Sequence, residues 1–181
     1  MKLTDALKIL NDLDQQGVYI FSRGDIEKMF PSEQEKTLEK SLQRLVRGGV
    51  LERVGKGLYL NPLAVSKKSR VVEDIAAIAR RGYYSYLSLE SILSEYGALS
   101  QIPLSYLTVM TTGAKGLLKT RYGVIEFTHT QRPIHEIVKK TVLAPGRPLR
   151  IATLEAAKQD LRRVGRNVSL LEENGGEDAY F

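Results

Sequence analysis

The sequence predicts an α+β protein, and three observations carry that expectation. Apolar residues recur at helical spacing along the first part of the chain. A Gly55-Lys56-Gly57 turn then joins two short apolar runs. Beyond Pro62, strand-like and helix-like segments are interspersed rather than strictly alternating. The expected architecture is an N-terminal winged helix-turn-helix followed by a small mixed α/β C-terminal domain.

The elements follow in order. Leu3, Ala6, Leu7, Leu10 and Leu13 predict a helix from about Leu3 to Asp14, closed by Gly17. Val18 to Phe21 is an apolar run too short for a helix and suits an extended lead-in. Ser22 with Asp25 three residues on predicts a capped helix from Arg23 to Met29, which Pro31 ends because it lacks an N–H and disfavours helical geometry in Phe30. Ser32 with Glu35 has the same capping spacing, so a longer helix is expected from there to about Arg47. Its residues Leu38, Leu42, Leu45 and Val46 make one apolar stripe. Gly48-Gly49 ends it, and a hairpin of Val50 to Val54 and Leu58 to Leu60 follows.

The face opposite that stripe carries Lys36, Lys40, Gln43, Arg44 and Arg47, while Arg53 and Lys56 make the hairpin basic. Such a helix suits the major groove, where Arg, Lys and Gln reach base edges and other cations meet phosphates, with the hairpin on the neighbouring backbone. These seven residues are the candidate DNA-binding set, and the expected partner is double-stranded DNA. A purely solvated helix face or a protein-docking module would use the same charges differently; the shared sign of helix and hairpin favours DNA.

Charge is placed locally. Residues 1–62 hold 10 Lys and Arg against 9 Asp and Glu, so the first domain is nearly neutral and its basic character belongs to one face; residues 63–181 hold 17 against 12. The absence of Cys removes disulfides and thiolate metal sites. With no membrane-spanning stretch and no secretory signal at the start, a cytoplasmic location is expected.

The first domain is expected to span 1–62, with Ala64 to Ser69 as a linker and a second domain over 70–171. That domain should contain a helix from about Arg70 to Arg80, an extended Tyr83-Tyr84-Ser85, and a helix from Leu89 to Tyr96 capped by Ser88. A strand from Leu104 to Thr111 and a hairpin of Leu117 to Arg121 and Val124 to His129 come next. The stretch after Pro133 has no clear pattern. A short strand at Leu149 to Ile151 and a helix from Thr153 to Val164 complete the domain, and 172–181 reads as an acidic flexible tail.

No catalytic or metal-binding pattern emerges. His129 and His135 match no compact zinc spacing, and Thr112 to Gly116 lacks the full phosphate-loop pattern, so neither a metal nor a cofactor is expected and the chain does not read as an enzyme. None of Ser85, Ser88, Ser91 and Ser94 sits in a nucleophile elbow. Tyr83, Tyr84, Tyr86, Tyr96 and Tyr106 could stack on bases, but the expectation is that they are core and rim residues.

Five stretches carry a family resemblance. They are Val54 to Pro62, Tyr84 to Leu93, the pair Thr111-Thr112-Gly113 and Val124 to Phe127, and Ile151 to Leu161. In this succession the chain resembles the AbiEi-type antitoxins of type IV toxin-antitoxin systems. The resemblance implies a transcription regulator whose N-terminal domain binds inverted repeats in its own promoter and represses the operon. It also implies a C-terminal domain needed to counteract a nucleotidyltransferase toxin, the second expected partner. The alternative expectation is a winged-helix transcription factor whose second domain senses a ligand or dimerises.

Overall fold

The computed structural model describes residues 1–99, 103 and 105–165. Leu104, residues 166–171 of the expected second domain and the expected tail at 172–181 lie outside the described residues. The fold is mixed α+β, with seven helices and two sheets among the described residues. The chain divides into two compact units, Met1–Ala79 and Arg80–Phe181.

The first unit runs α1 (Leu3–Gln15), β1 (Ile20–Ser22), α2 (Arg23–Met29), α3 (Glu35–Arg47), β2 (Glu52–Gly55), β3 (Leu58–Leu60) and α4 (Val71–Ala79). Its sheet is antiparallel with β3 central, pairing Ile20 with Leu60 on one side and Arg53 with Tyr59 on the other. The apolar lead-in thus became a strand because β3 offers it an unpaired edge. Ala6 and Leu10 of α1, Phe21, Ile26 and the α3 stripe Leu38, Leu42 and Leu45 form one core with Leu51. Each large apolar side chain buried there contributes roughly 1.5–3 kcal/mol.

The two caps predicted in this unit fare differently. Ser22 closes a capping box: its hydroxyl accepts from Asp25 N at 3.2 Å, and its own N–H donates to Asp25 Oδ2 at 2.8 Å. Ser32 caps nothing. The chain turns through residues 31–33, and α3 starts after Gln34 without a side-chain cap. At the other end Gly49, at φ +71°, takes the left-handed conformation that closes α3.

Helix α4 packs on β1, with Ile75 and Ala76 fully buried. The Tyr19 hydroxyl, from the segment before β1, donates to the Asp74 carboxylate. This is why the helix groups with the first unit, although the sequence reading placed its residues beyond the linker. The linker itself is tethered, since Asp14 at the end of α1 accepts from Val65 N at 2.8 Å and Ser66 N at 3.0 Å.

The second unit contains β4 (Ser85–Leu87), α5 (Leu89–Glu95), β5 (Tyr106–Thr111), β6 (Gly116–Thr120), β7 (Gly123–His129), α6 (Ile134–Lys139), β8 (Thr141–Val142), β9 (Arg150–Ala152) and α7 (Leu154–Val164). Its six strands lie in the order β6-β7-β5-β4-β9-β8. The sheet is mixed, because β4 runs antiparallel to β5 and parallel to β9, and β5 runs parallel to β7. The β6–β7 hairpin turns at Gly123, where a Cβ would come within 2.3 Å of Ser105 O, so no larger residue fits without backbone movement. The patternless stretch after Pro133 folds as α6 and β8, too short for periodicity to register.

A buried polar cluster joins β4, α7 and the segment after β7. Asp160 Oδ2 accepts from Ser88 Oγ at 2.8 Å and Tyr86 Oη at 3.0 Å, while Asp160 Oδ1 accepts from Arg132 at 2.7 Å. Arg132 also donates to Tyr86 Oη at 3.2 Å. Ser88 was expected to cap α5, but its hydroxyl is committed to Asp160 and makes no cap bond. The first residue of α5, Leu89, sits at φ +60° and is fully buried. Such a conformation costs roughly 1–3 kcal/mol in a non-glycine residue. It is held by the bond from Thr108 Oγ1 to Ser88 O at 2.6 Å and by Ser91 N to Thr108 Oγ1 at 3.1 Å.

Candidate nucleic-acid interface

The seven candidate residues are all exposed, five on α3 and two on the hairpin of β2 and β3. The reason on α3 is rotational. Leu38, Leu42 and Leu45 face the core, and at 100° per residue Lys36, Lys40, Gln43, Arg44 and Arg47 fall together on the far side.

The structure brings four of the seven to one cleft between α3 and the hairpin. Gln43 and Arg47 line it from the helix, Arg53 and Lys56 from the hairpin, and Leu42, Val46 and Tyr59 supply its apolar part. Lys36, Lys40 and Arg44 lie outside the cleft lining. Arg44 turns back along its own helix, where its Nη2 donates to Ser41 Oγ at 2.9 Å. The side chains of Gln43, Arg47 and Lys56 have no hydrogen bond or ion pair with other described residues, so their polar groups are available to a ligand. Arg53 is steadied by a bond from its Nε to Gly55 O at 3.3 Å.

Three residues that sequence reasoning did not single out also line the cleft: Arg23, Glu39 and Tyr59. Tyr59 was accessible to a strand argument, since Leu58 and Leu60 on either side are buried and a strand alternates faces. Arg23 was not, because its place depends on α2 meeting the hairpin tip, where Arg23 N donates to Gly57 O at 2.8 Å. Its guanidinium pairs with Glu27 at 2.9 Å and Glu35 at 3.1 Å. The Glu27 hydrogen bond is the main cause of its raised pKa. Arg23 therefore adds little uncompensated charge, and Arg47, Arg53 and Lys56 dominate the cleft against Glu39.

Chemically the cleft offers a guanidinium and a side-chain amide on a helix, with two cations on the facing hairpin. Arg and Gln can each make paired hydrogen bonds to a base edge, and the hairpin cations suit phosphates.

No family model matches the chain, and no curated protein matches it. It is similar to the crystal structure of RV2827C protein from Mycobacterium tuberculosis, at 18% identity over 72% of this chain, with a TM-score of 0.46. The match covers 47% of that chain. No helix among the described residues is long and apolar enough to cross a membrane.

Proposed function

We propose that the chain is a DNA-binding antitoxin of the AbiEi type, which represses its own operon and counteracts a nucleotidyltransferase toxin. The observation that carries the DNA-binding part is the cleft of Gln43, Arg47, Arg53 and Lys56, in which helix and hairpin each present a cation, with the Gln43 amide beside them. The order of helix, strand, two helices and hairpin supports reading the first unit as a winged helix, with α3 as the helix that enters the major groove. The antitoxin part rests on the sequence resemblance.

In this reading Arg47 and Gln43 contact base edges, Arg53 and Lys56 contact the flanking backbone, and Lys36, Lys40 and Arg44 meet phosphates along the groove wall. A gel-shift titration of the full chain on the DNA upstream of its own gene tests it. Specific retention, lost when Arg47 and Arg53 are both replaced by Ala, is expected; retention equal on unrelated duplex at fixed salt would refute promoter reading. Co-expression with the neighbouring nucleotidyltransferase gene tests the antitoxin part, for which restored growth is the expected result.

A further inference from the structure

Five tyrosines of the second unit separate into two groups. Tyr86 is fully buried and bonded to Asp160, the Tyr106 hydroxyl donates to Glu126, and the Tyr96 hydroxyl donates to Ala152 O at 3.1 Å. These three have packing or hydrogen-bonding roles. Tyr83 and Tyr84 are 58% and 44% exposed; Tyr96 is as exposed at 46%, but its hydroxyl is tied down, whereas the hydroxyls of Tyr83 and Tyr84 bond to no other described residue.

Exposure does not make the Tyr83 ring loose. A Cβ on Gly113 would come within 2.9 Å of Tyr83 Cγ and 3.0 Å of Cδ2, so the ring lies directly against the glycine backbone. The loop behind it is pinned from several sides. His129 Nδ1 donates to Gly113 O at 2.8 Å, and since a carbonyl can only accept, that nitrogen carries the proton. Arg80 Nε donates to Ala114 O at 3.0 Å while its guanidinium lies 4.0 Å over the Phe127 ring. Tyr84 N donates to Thr112 Oγ1 at 3.1 Å, and Thr112 N returns a bond to Tyr84 O at 2.9 Å. Tyr83 is thus an aromatic ring backed on one side by a fixed loop and open to solvent elsewhere, with little freedom left to lose on binding.

The electrostatic setting is one-sided. No Asp or Glu occurs between Glu95 and Glu126, and that stretch supplies Lys115 on the loop, Lys119 on the edge strand β6 and Arg121 just after it. Lys115 and Lys119 are exposed and have no ion-pair partner among the described residues. Glu126 lies opposite Leu117 on β7 and accepts from the Tyr106 hydroxyl, so the loop and edge strand keep a net positive charge, which suits a polyanion.

We propose that Tyr83, backed by Gly113, is a stacking platform for an unpaired base, and that Lys115 and Lys119 hold the phosphates of the same single-stranded nucleic acid, with Tyr84 beside it. A duplex keeps its bases paired and stacked, so an open ring face distinguishes a single strand from it. The site belongs to the second unit and uses none of the residues assigned to duplex DNA, so it stands whether or not the first unit reads a promoter.

The test is fluorescence anisotropy of the full chain with labelled oligodeoxyuridine and oligouridine of about 12 nucleotides, in the presence of excess unlabelled duplex. Binding of either strand is expected, and the tighter of the two identifies the sugar the site prefers. Tyr83→Ala should weaken it about tenfold, Tyr83→Phe should retain it, and Gly113→Ala, by displacing the ring, should behave like Tyr83→Ala. Lys115→Glu combined with Lys119→Glu should weaken binding by about tenfold or more at low salt, and lies at exposed positions that leave folding intact. The chain has no Trp but nine Tyr, so the part of the Tyr fluorescence quenching on binding that is lost in Tyr83→Ala reads out stacking. The proposal is overturned if neither strand binds, if duplex displaces it, or if folded Tyr83→Ala and the double lysine variant bind as the unaltered chain does.

Discussion

Arg132 and Asp160 form an ion pair at 2.7 Å in which 1% and 0% of their side-chain surfaces reach solvent. The charges meet in a low-dielectric interior, where neither can be left alone without a large desolvation cost. Tyr86 and Ser88 take up the other carboxylate oxygen, so the pair is the centre of a hydrogen-bonded group joining strand, helix and loop.

Replacing one member should therefore cost far more than replacing both. Asp160→Ala is expected to lower the free energy of unfolding by about 3–5 kcal/mol, because it strands the Arg132 guanidinium. Arg132→Met with Asp160→Leu should cost clearly less than the sum of the two single changes. Urea unfolding of the double variant, its two component single variants and Asp160→Ala measures the difference, and strict additivity within the cycle would show that the charges are not coupled.

The same cluster predicts a loss of stability at alkaline pH. Burial first, and then the Asp160 charge, push the Tyr86 phenol above its ordinary range, although Arg132 acts in the opposite sense. The folded chain keeps a proton that the unfolded chain releases near the ordinary tyrosine pKa of about 10. This contribution is constant below that pH and is lost as the pH rises above it. Thermal melts should show a steeper alkaline decline than those of Tyr86→Phe, whose intercept is lower but whose slope is shallower.

Ser22 and Ser32 present the same spacing to a carboxylate in sequence, yet only Ser22 caps a helix. Ser22→Ala is expected to destabilise the first unit by about 1 kcal/mol, whereas Ser32→Ala should stay within about 0.5 kcal/mol of the unaltered chain. Chemical denaturation of both variants is the check. Equal losses would mean that the turn at residues 31–33 is as important as the cap.

That pair illustrates what a linear reading can recover. The α2 limits, the α3 stripe and the hairpin partners follow from periodicity, caps and glycines, all of which act over a few residues. The pairing of β1 with β3, the placement of α4 and the commitment of Ser88 to Asp160 depend on residues 38, 55 and 72 positions apart, between Phe21 and Tyr59, Tyr19 and Asp74, and Ser88 and Asp160. Local patterns hold no record of such distant partners. The candidate interface divides in the same way: the exposed face of α3 was legible from helical spacing, while the share taken by Arg23 and Tyr59 needed the tertiary fold.

Arg47 and Arg44, alike in sequence terms, should contribute unequally to DNA binding. Arg47 lines the cleft with its guanidinium uncommitted, while Arg44 lies outside it and bonds to Ser41. Arg47→Ala is expected to lower affinity for the operator by roughly tenfold or more and to relax sequence preference. Arg44→Ala should weaken all duplexes alike and reduce the salt slope by about one. Anisotropy on operator and scrambled duplex across a salt series separates the two, and identical behaviour would contradict these roles.

The hairpin beside α3 is seldom at liberty to swing. β3 is paired on both edges, and Gly57 at the tip is bonded to the first residue of α2. The spacing between helix and hairpin is consequently set when the chain folds, before any ligand arrives. A partner whose groove matches that spacing pays little ordering entropy, and one whose groove is too wide or too narrow must deform itself to fit. Discrimination by the width of a groove would then be a property of the backbone, unaffected by which side chains line it.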